Sequence, residues 1–260
     1  MSKVFLSAGH GGSDSGAVGN GLKEKTINLD ILVACKSELE RHGVTVVASR
    51  LKDENDPVGQ EVKEANASRA DIAVSFHTNA GGGDGSESYY YDGSANSLRL
   101  AQLCEKYVRA IGQNSHGQAT KAGNRLYFVR KTKMPAVLCE CAFIDSADVN
   151  IINTSDKRKA FGVAYAKAIL EYLGITHTTV TPVAPKPVAQ PTSSTVPVSG
   201  SFKVKVTADA LRIRSGAGTN YKIVGMIRDR GVYTIVETSG SWGKLKSGAG
   251  WISLNYAKRV

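Results

Sequence analysis

No apolar run in this 260-residue chain approaches the roughly 20 residues needed to cross a bilayer. The opening stretch, MSKVFLSAGHGG, holds one lysine and too short an apolar segment for a secretory signal. These two absences predict a soluble product made in the cytoplasm, which acts outside the cell only after release. Cysteine is scarce: Cys35, Cys104, Cys139 and Cys141 are the whole set, and no CxxC pair has zinc-finger spacing. Cys139 and Cys141 flank one residue and would point the same way from a strand, a poor geometry for a disulfide, so buried reduced thiols are expected. The chain also lacks a basic-aromatic RNA-binding motif, which argues against nucleic acid as a partner.

Proline is nearly confined to one place. Five of the seven prolines fall between Thr176 and Gly200, among Thr, Ser, Val and Ala and with no acidic residue. Such a composition cannot build a core and favours an extended spacer, which at about 3.1 Å per residue spans at most roughly 80 Å. It separates a domain at residues 1–175 from a second at 201–260. The net charge of +10 divides unevenly across this spacer. The first part carries 21 Lys or Arg against 20 Asp or Glu, and the last carries 11 against 3. A small basic domain of this kind either is simply soluble or meets a polyanion such as a membrane surface or an anionic cell wall.

Before the spacer, strand-like and helical patterns alternate. Lys3–Ser7, Thr45–Ser49, Ile72–His77, Ser88–Asp92, Arg125–Val129 and Pro135–Phe143 read as strands. Ile27, Ile31, Cys35 and Leu39 form a helical stripe that His42 and Gly43 close, and further helices fall around Val58–Ala70, Ser97–Ile111 and Lys157–Leu173. The pattern predicts an α/β fold, a mostly parallel twisted sheet with helices on both faces, whose ligand site lies at the carboxyl ends of the strands. After the spacer, short β-type runs separated by turn signals predict a small all-β barrel or sandwich.

In SAGHGGSDSG, residues 7–16, His10 ends a strand-like run among glycines that let the backbone turn sharply and approach a ligand closely. His77 ends another run, Glu24 precedes the first helix, and Glu140 sits inside the nearly apolar strand PAVLCECAF. A carboxylate there is costly to bury unless it is partnered, protonated or beside a cation. Two imidazoles and a carboxylate on one rim suit a catalytic Zn²⁺ with an open position for water, and a non-ligand glutamate beside it can carry the proton. The gaps of 14, 53 and 63 residues match no HExxH motif. Spacing alone therefore leaves structural loop histidines and a solvated Glu24 as the open alternative. Asp14 and Asp71 read as a turn and a helix-to-strand junction, and His42, His116 and His177 as non-ligands. Asn79 is either a substrate contact or a turn residue. GGGDG, residues 81–85, is either a mobile cleft wall or an ordinary surface loop.

HGGSDSGAVGNGLKE, ANASRADIAVSFHTNA and MPAVLCECAFI together resemble the zinc-dependent N-acetylmuramoyl-L-alanine amidases of bacterial autolysins and phage endolysins, over about residues 1–175. The resemblance implies that His10, Glu24 and His77 bind zinc, that Glu140 is the catalytic base, and that the amide between N-acetylmuramic acid and L-alanine of peptidoglycan is cut. Cys139, Cys141 and Ala142 depart from the family's usual aliphatic or glycine neighbours of that glutamate. ALRIRSGAGTNYKIVGMI followed by GWI resembles bacterial SH3-like domains that target lytic enzymes to walls. That resemblance implies a cell-wall polymer as partner, gripped by some of Tyr221, Tyr233, Trp242, Trp251 and Tyr256, of which at least half are expected in the core. The resulting expectation is a monomeric wall hydrolase, an endolysin or a bacterial autolysin. Two other classes stay open: an inert wall-binding protein, and a metal-free glycosidase using Glu24 and Glu140 as an acid/base pair.

Overall fold

The computed structural model describes residues 2–178, 201–208, 210–218, 221–239 and 241–260. The chain divides into two compact units, one on each side of residues 181 and 182.

The first unit contains β1 (Lys3–Ala8), β2 (Val18–Gly19), β3 (Leu22–Lys23), α1 (Glu24–Arg41), β4 (Thr45–Ala48), α2 (Val58–Ser68) and β5 (Ile72–Asn79). There follow β6 (Ser86–Tyr90), α3 (Ala95–Arg109), β7 (Ser115–Ala122), α4 (Tyr127–Lys131), β8 (Ala136–Phe143), α5 (Val149–Ile152) and α6 (Ser155–Tyr172). Six strands form one sheet in the order β4-β1-β5-β8-β6-β7. The first four run parallel, β6 is antiparallel to β8, and β7 is parallel to β6, so the sheet is mixed.

Alternation along the strands feeds two cores. Val4, Leu6 and Ala8 join Ile31 of α1, Leu100 of α3 and Ile169 of α6, while Phe5 joins Val62 of α2 and Phe128 of α4. Helices therefore cover both faces, as the pattern predicts. All four cysteines are buried and free. Serine and threonine start two of the helices: Ser94 accepts from the Ser97 N–H and Thr154 from the Lys157 N–H. His42 and Gly43, the latter at φ 76°, end α1 where the stripe stops.

Two elements differ from the sequence reading. Tyr127–Lys131, within the expected strand Arg125–Val129, is one helical turn. Phe128 and Val129 are buried side by side in sequence, and an apolar run this short does not distinguish a strand from a helix. The sheet position is taken instead by Ser115–Ala122, an edge strand of polar composition with no fully buried residue and so no hydrophobic signature. The unit also extends past residue 175. The Arg41 Nη2 donates to the Thr178 carbonyl at 3.0 Å, and the rest of the spacer, residues 179–200, lies outside the described residues. No helix among the described residues is long and apolar enough to cross a membrane.

The second unit is all β: β9 (Phe202–Val206), β10 (Leu211–Arg214), β11 (Ile223–Ile227), β12 (Val232–Ser239), β13 (Trp242–Leu245), β14 (Trp251–Ser253), a 3₁₀ turn at Leu254–Tyr256 and β15 (Ala257–Arg259). They form an antiparallel sheet in the order β11-β10-β14-β13-β12-β9-β15 around Val204, Leu211, Ile235, Leu245 and Ile252. The core is aliphatic, contrary to the expectation that half of the five aromatics fill it. Tyr221 and Tyr256 are exposed, and Tyr233, Trp242 and Trp251 only half-buried.

Gly162 marks where α6 meets α1 most closely. A Cβ there would lie 2.5 Å from the Ile31 carbonyl oxygen and 2.6 Å from the Ala34 Cβ. Gly162→Ala gains about 1 kcal/mol of helix propensity, but backbone overpacking costs about 1–3 kcal/mol. The net expectation is a lower denaturation midpoint in urea, followed by helical circular dichroism; an unchanged or raised midpoint refutes the close approach.

Candidate active site

At the end of β1, the Gly9 N–H donates to the Phe76 carbonyl at 3.0 Å and His10 takes a left-handed conformation, φ 67°. Strain of this kind persists only where surroundings over-determine it. Here Gly11 and Asp14 close a tight turn through paired backbone hydrogen bonds of 2.9 and 3.0 Å. Asp14 Oδ2 lies 2.8 Å from His10 Nδ1, and its Oδ1 accepts the Gly16 N–H at 2.9 Å. Arg50, 2 % exposed, pins the strand end from below: Nε donates to the Ala8 carbonyl at 2.9 Å, and Nη2 to those of Lys25 at 2.8 Å and Gly9 at 3.3 Å.

The glycines around His10 serve this packing directly. A Cβ on Gly9 would sit 2.1 Å from His77 Cε1, and one on Gly16 would sit 2.5 Å from Glu24 Oε2. What approaches the backbone so closely is the site's own imidazole and carboxylate.

Glu24, 4 % exposed, is the first residue of α1, where unpaired N–H groups and the helix dipole favour an anion. Its Oε2 accepts the Ala17 N–H at 2.8 Å. Its Oε1 accepts the Thr78 N–H at 3.0 Å and Asn28 Nδ2 at 3.3 Å, and faces His10 Nε2 at 3.2 Å and His77 Nδ1 at 3.1 Å. Burial pushes this carboxyl up, but hydrogen bonds from the two imidazoles and from Thr78 outweigh it and hold it well below the carboxylate range. In return His10 is pushed up to about 9, chiefly by its hydrogen bond to Glu24 and further by Asp14. Burial lowers His77, yet Glu24 and the nearby charge of Glu140 more than reverse this and raise it.

One ligand atom from each of His10, Glu24 and His77 lies within 4.8 Å of the others. Residues 14 and 67 positions apart from His10 thus converge at the carboxyl edge of the sheet. Two imidazoles with a carboxylate are a donor set for Zn²⁺. The Asp14 contact at Nδ1 leaves His10 Nε2 facing the cluster, the usual orientation of a ligand whose other nitrogen is held by a carboxylate.

Glu140 stands beside His77 in the β5–β8 register and beside Glu87 in the β6–β8 register. Its Oε2 is buried with no hydrogen-bond partner among the described residues, and burial pushes the carboxyl up to about 7. Cys139 and Cys141 join the core with α1, α3 and α6, so strand alternation keeps them on the face opposite Glu140. Their departure from the family pattern leaves the acid's own face unchanged.

Several contributors escaped the sequence reading. Asp14 is a turn residue, as expected, but also orients His10. Asn28 donates to the Gly9 carbonyl at 3.1 Å and accepts the Thr78 hydroxyl at 2.9 Å. Glu61, 2 % exposed on α2, is pushed up to about 7 by burial, and its charge is felt by His77. An acid on the buried side of a helix, next to Val62, was the available signal. Glu87, also 2 % exposed, takes the Asn79 Nδ2 at 2.9 Å, the Tyr89 hydroxyl at 2.7 Å and the Lys121 ammonium. Asn79 Oδ1 accepts the Ala80 N–H at 2.9 Å, so this side chain is engaged internally at both ends. The loop at 81–85 is tethered: Asp145 accepts the Gly81 and Gly82 N–H groups at 2.8 and 3.1 Å, and Asp148 that of Gly85 at 2.9 Å. Asp71 accepts the Lys3 N–H at 2.8 Å, a structural contact. His116 packs on Phe143, while His42 and His177 meet Glu38 at the far end of α1.

Residues 4–171 match the family model described as N-acetylmuramoyl-L-alanine amidase. The chain is 32 % identical over 216 residues to the sporulation-specific N-acetylmuramoyl-L-alanine amidase of Bacillus subtilis (strain 168), covering 81 % of this chain and 79 % of that protein. It is 42 % identical over 158 residues to the endolysin of Bacillus phage SPP1, covering 57 % of each. The catalytic domain of CwlV, an N-acetylmuramoyl-L-alanine amidase from Bacillus (Paenibacillus) polymyxa var. colistinus, has a TM-score of 0.62 at 33 % identity, over 68 % of this chain and 100 % of that one.

Because Glu24 keeps both imidazoles protonated in the metal-free chain, with His10 at about 9, a divalent ion must displace protons to bind. Below about pH 9 its affinity is expected to fall by about tenfold per pH unit for each proton displaced. Cobalt titrations between about pH 6 and pH 8, with proton release followed in weak buffer, measure this; an affinity independent of pH rules out these nitrogens as the ligands.

Proposed function

Given that the chain belongs to the N-acetylmuramoyl-L-alanine amidase family, we propose that His10, Glu24 and His77 hold a zinc ion and that Glu140 carries the proton in its hydrolysis of peptidoglycan. The observation that carries this reading is Glu140 itself: a buried carboxyl with an orphaned oxygen, aimed at the same edge as a convergent His/Glu/His donor set. When bound, zinc supplies Lewis acidity and lowers the pKa of a water towards about 7.

The chain's own groups do the rest. Glu140 takes a proton from the attacking water as the new C–O bond forms, and returns it to the departing nitrogen of L-alanine as the C–N bond breaks. A carboxyl poised near neutrality serves both steps. Asp14 fixes the ring of His10, and Ala17, Thr78 and Asn28 fix Glu24. Glu24 is fully engaged and held anionic, which disfavours its use as half of an acid/base pair on a sugar linkage.

Glu140→Gln is nearly isosteric and removes the proton carrier. Lysis of purified walls is expected to fall by about 10² to 10⁴-fold, while zinc content, measured by elemental analysis, stays at the wild-type level. Mass spectrometry of wild-type digests is expected to show free lactyl groups and new alanine amino termini. Retained lysis in Glu140→Gln removes this role for the acid; reducing-end sugars among the products establish the glycosidase reading instead.

The second unit we assign as an SH3-like wall-binding domain, acting within a monomer that reaches the wall after release from the cytoplasm. Its excess of 11 basic over 3 acidic residues supports an anionic polymer as the ligand. A groove of about 650 Å³ lined by Arg212, Arg214, Met226, Trp242 and Tyr256 combines cationic and aromatic groups. Tethering there raises the local substrate concentration at the catalytic unit. Full-length Glu140→Gln is expected to bind insoluble walls in low salt, with binding weakened by added salt and by Trp242→Ala; salt-independent binding by both chains overturns the electrostatic reading.

A further inference from the structure

Glu38, His42 and His177 lie together roughly 21 Å along α1 from Glu24, counting 14 residues at about 1.5 Å each. We propose that these three side chains form a second divalent-metal site, of the zinc class, that fastens the chain beyond α6 to the end of α1. Glu38 and His42 are four residues apart on the helix and therefore share one face on successive turns. His177 arrives from beyond α6 and stacks on His42, with ring centroids 5.0 Å apart and planes at 27°. Its Nε2 lies 2.8 Å from Glu38 Oε1, and one ligand atom from each of the three lies within 4.8 Å of the others.

The outer contacts prepare these groups as ligands. His42 Nδ1 lies 2.8 Å from the Glu38 carbonyl, which can only accept, so Nδ1 carries the proton and Nε2 keeps its lone pair. Arg41 Nε donates to Glu38 Oε2 at 3.1 Å, and the guanidinium holds the carboxyl below its ordinary range, leaving an anion whose Oε1 faces the imidazoles. All three side chains are largely withdrawn from solvent, with exposures of 4 % for His42, 14 % for Glu38 and 16 % for His177. His42 Nε2 accepts the Thr178 N–H at 3.1 Å, and an entering ion takes that lone pair in its place. Thr178 is the last residue described before position 201, and its hydroxyl, 3.4 Å from the same nitrogen, is available as a further oxygen donor. Two imidazoles with one carboxylate favour zinc over calcium or magnesium, which prefer oxygen donors.

Zinc uptake by the full chain, measured by equilibrium dialysis against zinc chloride and elemental analysis, tests the site. Wild type is expected to take up two ions, and His177→Ala and Glu38→Gln one each, with wall lysis within twofold of wild type because neither residue belongs to the catalytic group. His10→Ala/His77→Ala is expected to keep one ion and to lose it when His177→Ala is added. The proposal is overturned if His177→Ala and wild type bind the same number of ions, or if His10→Ala/His77→Ala, folded by circular dichroism, binds none. A failure of the catalytic zinc reading has a different signature: wild type binds a single ion, and His177→Ala removes it.

Discussion

A buried carboxylate at the start of a helix is the constraint on which the site depends. Glu24 gathers a helix dipole, two backbone N–H groups, one amide and two imidazoles around a single pair of oxygens. Such a charge in an apolar setting is unfavourable without these partners. With them it organises elements that the chain delivers separately: the loop after β1, the end of β5 and the first turn of α1. The same anion draws protons onto His10 and His77 until a metal replaces them, so electrostatics and ligand geometry have a common origin.

The sheet supplies the convergence. Parallel strands β1, β5 and β8 end on one edge, and their alternation sends Phe76, Cys139 and Cys141 into one core while His77 and Glu140 face the other side. Arg50 then converts a flexible glycine loop into a fixed one by binding the carbonyls of Ala8, Gly9 and Lys25. Leaving buried carbonyls unpaired costs about 1–3 kcal/mol apiece. That side chain therefore holds the metal ligand His10 in its left-handed conformation from a distance of 40 residues along the chain.

His10, His77 and Glu140 were legible in the sequence because each interrupts or ends an apolar run, and Glu24 because it precedes a clear helical stripe. Their partners were not. Arg50, Asn28 and Glu61 occupy unremarkable positions, and their roles arise only from contacts across the fold. Asp14 was legible as a turn residue, but its hold on His10 requires knowing where the ring points. The polar edge strand Ser115–Ala122 carries no hydrophobic period, and the brief apolar run at 126–129 fits either period, so both assignments waited for tertiary structure. In the second unit the aliphatic core could be traced from β-branched residues, whereas the withdrawal of aromatics from it could not.

The tether at residues 81–85 ties the rim of the cleft to the strand that bears Glu140. Asp145 and Asp148 follow β8 directly, and Asp148 also accepts the Phe143 N–H at 2.9 Å, so rim and acid are two parts of one rigid lever. A stiff glycan strand that settles against such an edge is already in register with the proton carrier. Substrate shape is then sensed by the same covalent frame that performs the chemistry, without a lid having to close first.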